Sequence, residues 1–209
     1  FEQRLLAHPA IELVAMTDRL PLGAAVQTNG FILPGVPSET QDGDHDIDIT
    51  LVTPGYFELM EVPVVAGRLF VDSDVDGDPV IVVSEAFARR FYPGEDLIGR
   101  SVETAGGTRL IIVGVAADTK VRTLGEAPRP YIYQLQGQLR VGSVQVLIRG
   151  QGTSAELLAI GQQVLRDLDP DMAVIEAKTM NEHLALILFP PRMAALLLSV
   201  FGGLALTLA

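Results

Sequence analysis

The sequence predicts an α+β fold in which two β-α-β units flank a central α/β insert. The first unit falls in region 47–70, where an alternating strand pattern, a short helix signal and a second extended run follow one another. The second falls in region 143–177, where a helix that opens with a capping box separates two extended runs. The insert begins with a buried strand at 80–83 that leads directly into a helix.

The region before the first unit is predicted to hold a helix, a strand and a long irregular connection. The apolar spacing in residues 1–6 predicts a helix. Because the chain begins at Phe1 inside this pattern, we expect it to be a piece of a longer protein. Residues 11–16 form a short apolar run that predicts a strand. Region 18–46 is rich in Gly, Pro, Asn and Asp, which predicts an irregular connection with one short strand at 30–33.

The first β-α-β unit contains no His, Ser or Cys between residues 51 and 70, so we interpret this stretch as structural rather than catalytic. Residues 47–52 alternate polar and apolar side chains, as a half-buried strand does. Thr53 and Pro54 are predicted to be the N-cap and first residue of a short helix. That helix is expected to turn three side chains inward: Tyr56, Phe57 and Met60.

The insert is predicted from cap and turn residues. Ser84 is the expected N-cap of a helix in which Phe87 and Phe91 share one face, and Pro93 and Gly94 are expected to end it. A hairpin is predicted at Gly106–Gly107, followed by an apolar strand at 110–115 and a short strand "YIYQL".

The second β-α-β unit starts with the strand "SVQVLIRG" at 143–150. Thr153 and Glu156 form a capping box that opens a helix running to about Leu168, and a strand is predicted at 172–177. A second capping box, Thr179 with Glu182, is expected to open a helix that runs to Pro190–Pro191.

Charge and cysteine content exclude several classes of function. The formal net charge is -11, and the Lys and Arg residues are scattered singly or in one pair. Nucleic acid is therefore not an expected partner, because phosphate-backbone binding needs clustered cations. The absence of cysteine excludes disulfides, thiolate catalysis and Cys-based metal sites, but leaves the cellular compartment open.

Two loop motifs resemble binding sites and are interpreted as structural. "GEDLIGRS" (94–101) differs from a phosphate-binding loop because Arg100 replaces the lysine and a helix precedes it. We therefore expect a turn between helix and strand. "DSDVDGD" (72–78) matches the start of an EF-hand loop, but Val83 occupies the position of the bidentate Glu. A solvated acidic linker is favoured over weak Ca²⁺ binding.

The three histidines are also interpreted as structural or exposed. His45 lies among carboxylates in "DGDHDID" (42–48), without the helical spacing that would direct them to one metal. Neither His8 nor His183 lies in a recognised catalytic motif. No residue type or spacing indicates a catalytic, cofactor-binding or metal-binding site, so we predict none and do not expect an enzyme.

The strongest compositional signal is at the C-terminus. Residues 193–209 run 17 positions without a charge, which as a helix would cover roughly 25 Å of a hydrocarbon core about 30 Å thick. Gly202 and Gly203 within the run are typical of membrane helices rather than soluble ones. We predict the start of a truncated transmembrane helix, and a buried core helix is the alternative.

Four stretches together resemble the extracytoplasmic core domain of MacB/FtsX-type ABC transporter permeases. They lie in the same order as in that family and cover nearly the whole chain. They are "VTPGYFELMEVPVVAGRLF", "PVIVVSEAFARRFYPGEDLIGRSV", "IIVGVAADTKVRTLGEAPRPYIYQ" and "PPRMAALLLSVFGGLALTLA".

The resemblance implies a porter-like α+β subdomain from segments 1–70 and 141–189, with a small inserted α/β subdomain at 71–140. It also implies a permease dimer in the bacterial inner membrane, this domain lying on the periplasmic side. The implied partners are a cytoplasmic ATPase, which carries the nucleotide-binding residues, and a periplasmic adaptor or a hydrophobic, lipid-like substrate.

Our hypothesis for function is that the domain transmits ATP-driven movement, in export, efflux or mechanotransmission. Thr179, Pro190 and Pro191 are the residues proposed to couple it mechanically to the membrane helix. The two prolines alternatively only end a helix at the membrane interface. The alternative function is a ligand-sensing extracytoplasmic domain of a membrane receptor.

Overall fold

The computed structural model describes residues 1–23, 26–38, 40, 43–138, 143–170, 174–185, 188–189, 193 and 198–199. Within them the chain has an α+β fold, rich in sheet with a few helices. The strands are β1 (Ile11–Thr17), β2 (Thr28–Ile32), β3 (His45–Val52), β4 (Val64–Gly67), β5 (Val80–Ser84), β6 (Ser101–Thr104), β7 (Arg109–Ala116), β8 (Tyr131–Leu135) and β9 (Gln145–Gly150). The helices are α1 (Glu2–Leu6), α2 (Tyr56–Leu59), α3 (Glu85–Phe91), α4 (Ser154–Leu168) and α5 (residues 180–185).

All nine strands belong to one sheet, in the order β2-β6-β7-β5-β8-β3-β1-β9. β4 pairs with β7 beside this path, and β2 also pairs with β3. The β3–β8 and β5–β7 pairs are parallel, and the remaining pairs are antiparallel. Strands from segment 1–70 therefore hydrogen-bond directly to strands from segment 71–140. The division into two subdomains stays a prediction.

Three apolar clusters form the core. The first lies under α3, where Phe87 is fully buried against Phe31, Ile81 and Ile132. The second surrounds α2, with Phe57 packed against Phe70 and Tyr133. The third joins α1, β1, β9 and α4, with Leu5, Ile11 and Val14 at its centre. Each fully buried large side chain contributes roughly 1.5–3 kcal/mol relative to exposure, so this third cluster fastens α1 and α4 to the β1–β9 edge of the sheet.

The predicted caps and turns of the insert are confirmed. The Ser84 hydroxyl accepts a hydrogen bond from the Phe87 amide and starts α3. The rings of Phe87 and Phe91 are 5.1 Å apart. β6 and β7 pair antiparallel across the turn at 105–108, and the Thr153–Glu156 capping box opens α4 as predicted.

Three local predictions are wrong. Thr53 does not cap α2, which starts after Gly55; its hydroxyl instead accepts from the Met16 amide at 2.9 Å. β3 is not half-buried: residues 47–52 are all buried, because β3 has neighbouring strands on both edges and core on both faces. The strand predicted at 172–177 is absent from its described part, 174–177, which is exposed and irregular.

Candidate functional site: an ionic junction at the centre of the sheet

A buried carboxylate lies at the point where β3 meets β8. Asp48 is opposite Tyr131 in the parallel β3–β8 register and is only 4 % exposed. A buried carboxylate is costly unless it is paired. Both partners come from the connection between β7 and β8. Arg122 binds through Nε at 3.0 Å and Nη2 at 2.5 Å, and Arg129 through Nε at 3.2 Å. The hydrogen bond to Asp48 raises the pKa of Arg122 further above its ordinary value.

The β7–β8 connection is folded so that both arginines reach Asp48. Glu126 accepts hydrogen bonds from the amides of Val121 and Arg122, at 2.5 and 3.0 Å, which closes a tight turn. At the other end the Ser84 hydroxyl donates to the Arg129 carbonyl at 3.1 Å and accepts from the Tyr131 amide at 3.0 Å. Ser84 therefore caps α3 and holds the end of this connection at the same time.

A second ion pair lies at the end of β1. Asp18 accepts hydrogen bonds from the Thr50 hydroxyl at 2.7 Å and the Leu51 amide at 2.9 Å, and it pairs with Arg19. Burial raises the pKa of Asp18, but these hydrogen bonds outweigh burial and hold the pKa below its ordinary value. Asp18 therefore stays ionised and joins β1 to β3 by side-chain contacts. We call Asp18, Arg19, Asp48, Arg122 and Arg129 the ionic junction.

The turn after β1 links the ionic junction to α5. The Leu22 amide donates to the Val121 carbonyl at 2.7 Å, one residue before Arg122. Pro21, one residue before Leu22, has its carbonyl oxygen 3.0 Å from Nε2 of His183 on α5. His183 is 8 % exposed, so this contact is largely shielded from water. A continuous set of contacts thus runs from α5 through the 18–22 turn to Asp48.

Thr179, predicted to take part in coupling, is the N-cap of α5. Its amide donates to Glu182 Oε2 at 2.7 Å, and its hydroxyl accepts from the Glu182 amide at 3.1 Å, which confirms the predicted capping box. Pro190 and Pro191 lie outside the described residues, as does most of segment 193–209. In the part of the chain that is described, no helix has the length and apolar character needed to cross a membrane.

An aromatic cluster packs beside the ionic junction. Tyr133 contacts the ring of Phe57 at 4.9 Å and that of Tyr131 at 5.0 Å. Burial raises the pKa of Tyr133 to about 12, against the opposing effect of its hydrogen bond with Thr119. Burial likewise raises the pKa of Tyr56 and of Tyr131. These phenols stay neutral at physiological pH and serve packing.

The motifs interpreted as structural have structural contacts. Asp74 of "DSDVDGD" binds Arg68 through both oxygens, at 2.6 and 2.8 Å, and its Oδ2 also accepts from the Val71 amide. "GEDLIGRS" is the turn between α3 and β6, as predicted. His45 packs edge-on against Phe91, with ring centroids 5.1 Å apart. Within the described ranges, no three His, Asp or Glu side chains are grouped as metal ligands.

The sequence analysis did not identify the ionic junction. One signal was present: Asp48 carries the only charge in the strand pattern 47–52, and a charge there must be paired if the strand is buried. Its partners carry no such signal, because Arg122 and Arg129 occur in an irregular stretch that could face solvent.

Residues 4–159 match the family described as the MacB-like periplasmic core domain. This match covers well over half of the chain, so the chain belongs to that family. It is an extracytoplasmic domain of the MacB-like class of ABC transporter permease, a transporter class rather than an enzyme class. Comparison with curated proteins gives no significant match.

Three solved structures share the fold. The extracellular domain of the noncanonic ABC-type transporter YknZ from Gram-positive bacteria is 17 % identical with a TM-score of 0.57, covering 80 % of this chain and 81 % of that one. The periplasmic region of MacB from Actinobacillus actinomycetemcomitans has the same identity and TM-score, covering 80 % and 72 %. A domain of a protein described as a permease from Porphyromonas gingivalis is 19 % identical with a TM-score of 0.53, covering 84 % and 80 %.

Proposed function

We propose that this domain transmits ATP-driven movement of a permease to a substrate or partner on the periplasmic side. The permease is then a dimer in the bacterial inner membrane that works with a cytoplasmic ATPase. The movement serves export or efflux of a hydrophobic, lipid-like substrate, or acts on a periplasmic adaptor. In this proposal segment 193–209 is the start of the membrane helix that delivers the movement.

The observation that supports the proposal is the series of contacts that leads from α5 through the 18–22 turn to the ionic junction. α5 precedes the apolar segment 193–209 in the chain, and His183 connects α5 to the 18–22 turn, whose Leu22 amide donates to the Val121 carbonyl. Coupling between distant sites travels through packed elements with discrete arrangements. A displacement of α5 therefore acts on the centre of the sheet rather than on a solvent-exposed loop.

The ionic junction also lies where the two proposed subdomains meet. Asp48 belongs to segment 1–70, whereas Arg122 and Arg129 belong to segment 71–140. Breaking a buried ion pair by removing one partner costs about 3–5 kcal/mol, and less when the partner is partly exposed. Together with the parallel β3–β8 pairing, this contact favours the two segments moving as one body. If the two segments move as one body, a displacement at one end is transmitted to the other end and is not lost in relative motion between the segments.

The test uses the full-length permease with its ATPase in lipid nanodiscs. The 209-residue chain contains no cysteine. Once any cysteines elsewhere in the permease and in the ATPase are replaced by serine, Ala159→Cys on the exposed face of α4 gives one spin label per permease subunit. We expect the distance between labels in the dimer to change between the nucleotide-free and the vanadate-trapped states. No change in the otherwise unmodified protein would contradict the proposed function.

The coupling residues are tested in the same assay. Pro190→Ala with Pro191→Ala, and separately His183→Ala, are expected to reduce the distance change while ATP hydrolysis continues. Asn181→Ala, exposed on the same helix, is the matched control. Unaltered movement and unaltered coupled ATPase in the double proline variant would reject the coupling role of Pro190 and Pro191 and leave the transmission proposal standing.

A further inference from the structure

A cavity separate from the ionic junction lies where the end of α3 meets β6 and β7. Its volume is about 230 Å³. Two of its six lining residues are arginines and none is a carboxylate; the six are Pro34, Tyr92, Gly99, Arg100, Ser101 and Arg109. In a chain with a net charge of -11, a cavity lined by two guanidinium groups is a local exception to the overall charge. We call it the arginine cleft.

Arg100 is held in a defined position in the arginine cleft. Its guanidinium carbon lies 5.2 Å from the centre of the Tyr92 ring, its Nε donates to the Asp96 carbonyl at 2.9 Å, and Nη2 pairs with Glu95. Tyr92 is itself buried, and its hydroxyl lies 3.2 Å from the Pro34 carbonyl. This wall of the cleft is therefore built before any ligand arrives.

Arg109 supplies an uncompensated charge. It begins β7, and no side chain among the described residues forms a hydrogen bond or ion pair with its guanidinium. The register places Glu103 opposite Arg109 and Ser101 opposite Ile111. Because side chains alternate along a strand, Ser101, Glu103 and Arg109 share one face of the hairpin. Glu103 lowers the local positive potential without pairing directly with Arg109.

We propose that the arginine cleft binds an oxyanion of the phosphate class. Arg109 is the principal ligand, because a guanidinium presents paired N–H donors that match the oxygens of a phosphate. Arg100, which is already paired with Glu95, supplies a second guanidinium, and the Ser101 hydroxyl supplies a neutral donor. The cavity is several times larger than a phosphate group, so a phosphomonoester or a phospholipid head group fits as well as the free anion. This inference does not depend on the proposed transmission of movement.

Two ligand sources are distinguished by two titrations of the isotope-labelled chain, followed by the backbone amide signals of β6 and β7. The first adds inorganic phosphate in exchange for chloride at constant ionic strength. The second adds phosphatidylcholine vesicles with or without phosphatidylglycerol. The comparison between vesicle types removes any contribution from the apolar C-terminal segment. Shifts with phosphate indicate a soluble anion, and shifts only with phosphatidylglycerol indicate a lipid head group.

Variants test the assignment of residues. Arg109→Gln is expected to weaken binding by about tenfold or more, the usual effect of losing a charge-assisted hydrogen bond. Glu103→Gln is expected to strengthen it, because the opposing charge is removed. Arg4→Gln is the control. Arg4 is exposed on α1, so this substitution removes one positive charge outside the arginine cleft. If Arg109→Gln disturbs folding, Arg109→Lys keeps the charge and is expected to bind more weakly than the native chain.

Two results would overturn the proposal. One is the absence of any shift in β6 and β7 with either phosphate source. The other is equal weakening by Arg109→Gln and Arg4→Gln, which would show that only net charge matters.

Discussion

His183 Nε2 lies 3.0 Å from the carbonyl oxygen of Pro21, although 162 residues separate the two in sequence. This contact joins α5 to the turn that follows the first strand. It is the only described side-chain hydrogen bond between α5 and the rest of the fold. The position of α5 therefore depends strongly on one imidazole.

We predict that His183→Ala releases α5 without unfolding the sheet. Losing a largely buried hydrogen bond costs about 1–2 kcal/mol, so amides in 180–185 should exchange with solvent roughly 5–30 times faster. Amides of β5 and β7 should exchange at their native rates. Hydrogen exchange followed by mass spectrometry measures both, and Asn181→Ala is the exposed control on the same helix. Equal protection in the two variants would show that other contacts hold α5.

The ionic junction gives a prediction about global stability. Asp48→Asn keeps the shape of the side chain but leaves Arg122 and Arg129 beside a neutral amide. The two arginine side chains are 33 % and 44 % exposed, so water compensates part of the loss. We expect unfolding to require about 2–3 kcal/mol less free energy. Urea denaturation followed by circular dichroism measures the change.

The control for Asp48→Asn is Glu176→Gln, which removes a carboxylate from an ion pair on the surface. Glu176 is 64 % exposed and binds Lys178 at 3.0 Å. Surface ion pairs of this kind contribute about 0–1 kcal/mol. A loss of stability in Asp48→Asn no greater than in Glu176→Gln would mean that the ionic junction is not a structural centre.

Local signals in the sequence predicted local structure, but they could not predict contacts between residues that are far apart in the sequence. The Ser84 cap, the Thr153–Glu156 capping box and the turn at Gly106–Gly107 depend on residues within a few positions of each other. Arg122 and Arg129 are 74 and 81 positions away from Asp48, so no spacing rule joins them. The error at Thr53 has the same cause, because its hydroxyl binds a strand 37 positions earlier instead of its own helix.

The lowered pKa of Asp18 gives a pH dependence of stability. A carboxyl group whose pKa is lower in the folded chain than in the unfolded chain stabilises the fold when ionised. That contribution is fully present above the unfolded pKa of about 4 and is lost as pH falls through the lower folded pKa. Asp18→Asn lacks it at every pH. The stability difference between the native chain and Asp18→Asn should therefore be constant near neutral pH and shrink below about pH 4.

Urea midpoints of both proteins between neutral and acidic pH measure this difference. Glu95→Gln is the matched control, because it also replaces a carboxylate that pairs with an arginine. The Glu95 side chain is, however, 48 % exposed in its pair with Arg100. If the urea midpoints of the native chain and of Asp18→Asn change in parallel with pH across the acidic range, the lowered pKa of Asp18 does not contribute to stability.

The last prediction concerns the close approach of β7 to the chain after β4. A Cβ atom added at Gly114 would lie 1.9 Å from the Arg68 carbonyl oxygen, which is backbone and cannot rotate away. Gly114→Ala should therefore force β4 off β7 and weaken the Arg68–Asp74 ion pair that follows it. We expect a loss of about 2–4 kcal/mol, typical of overpacking where backbone must move.

Gly125→Ala is the matched control for Gly114→Ala, because a Cβ there meets nothing within 4 Å. It should leave stability within about 0.5 kcal/mol or raise it slightly by restricting the unfolded chain. Thermal unfolding ranks the two variants, and exchange of the Arg68 amide, which donates to the Val113 carbonyl at 2.9 Å, reports on β4 directly. If Gly114→Ala keeps both the native stability and the protection of the Arg68 amide, the close approach of Gly114 to the Arg68 carbonyl is not needed to hold β4 against β7.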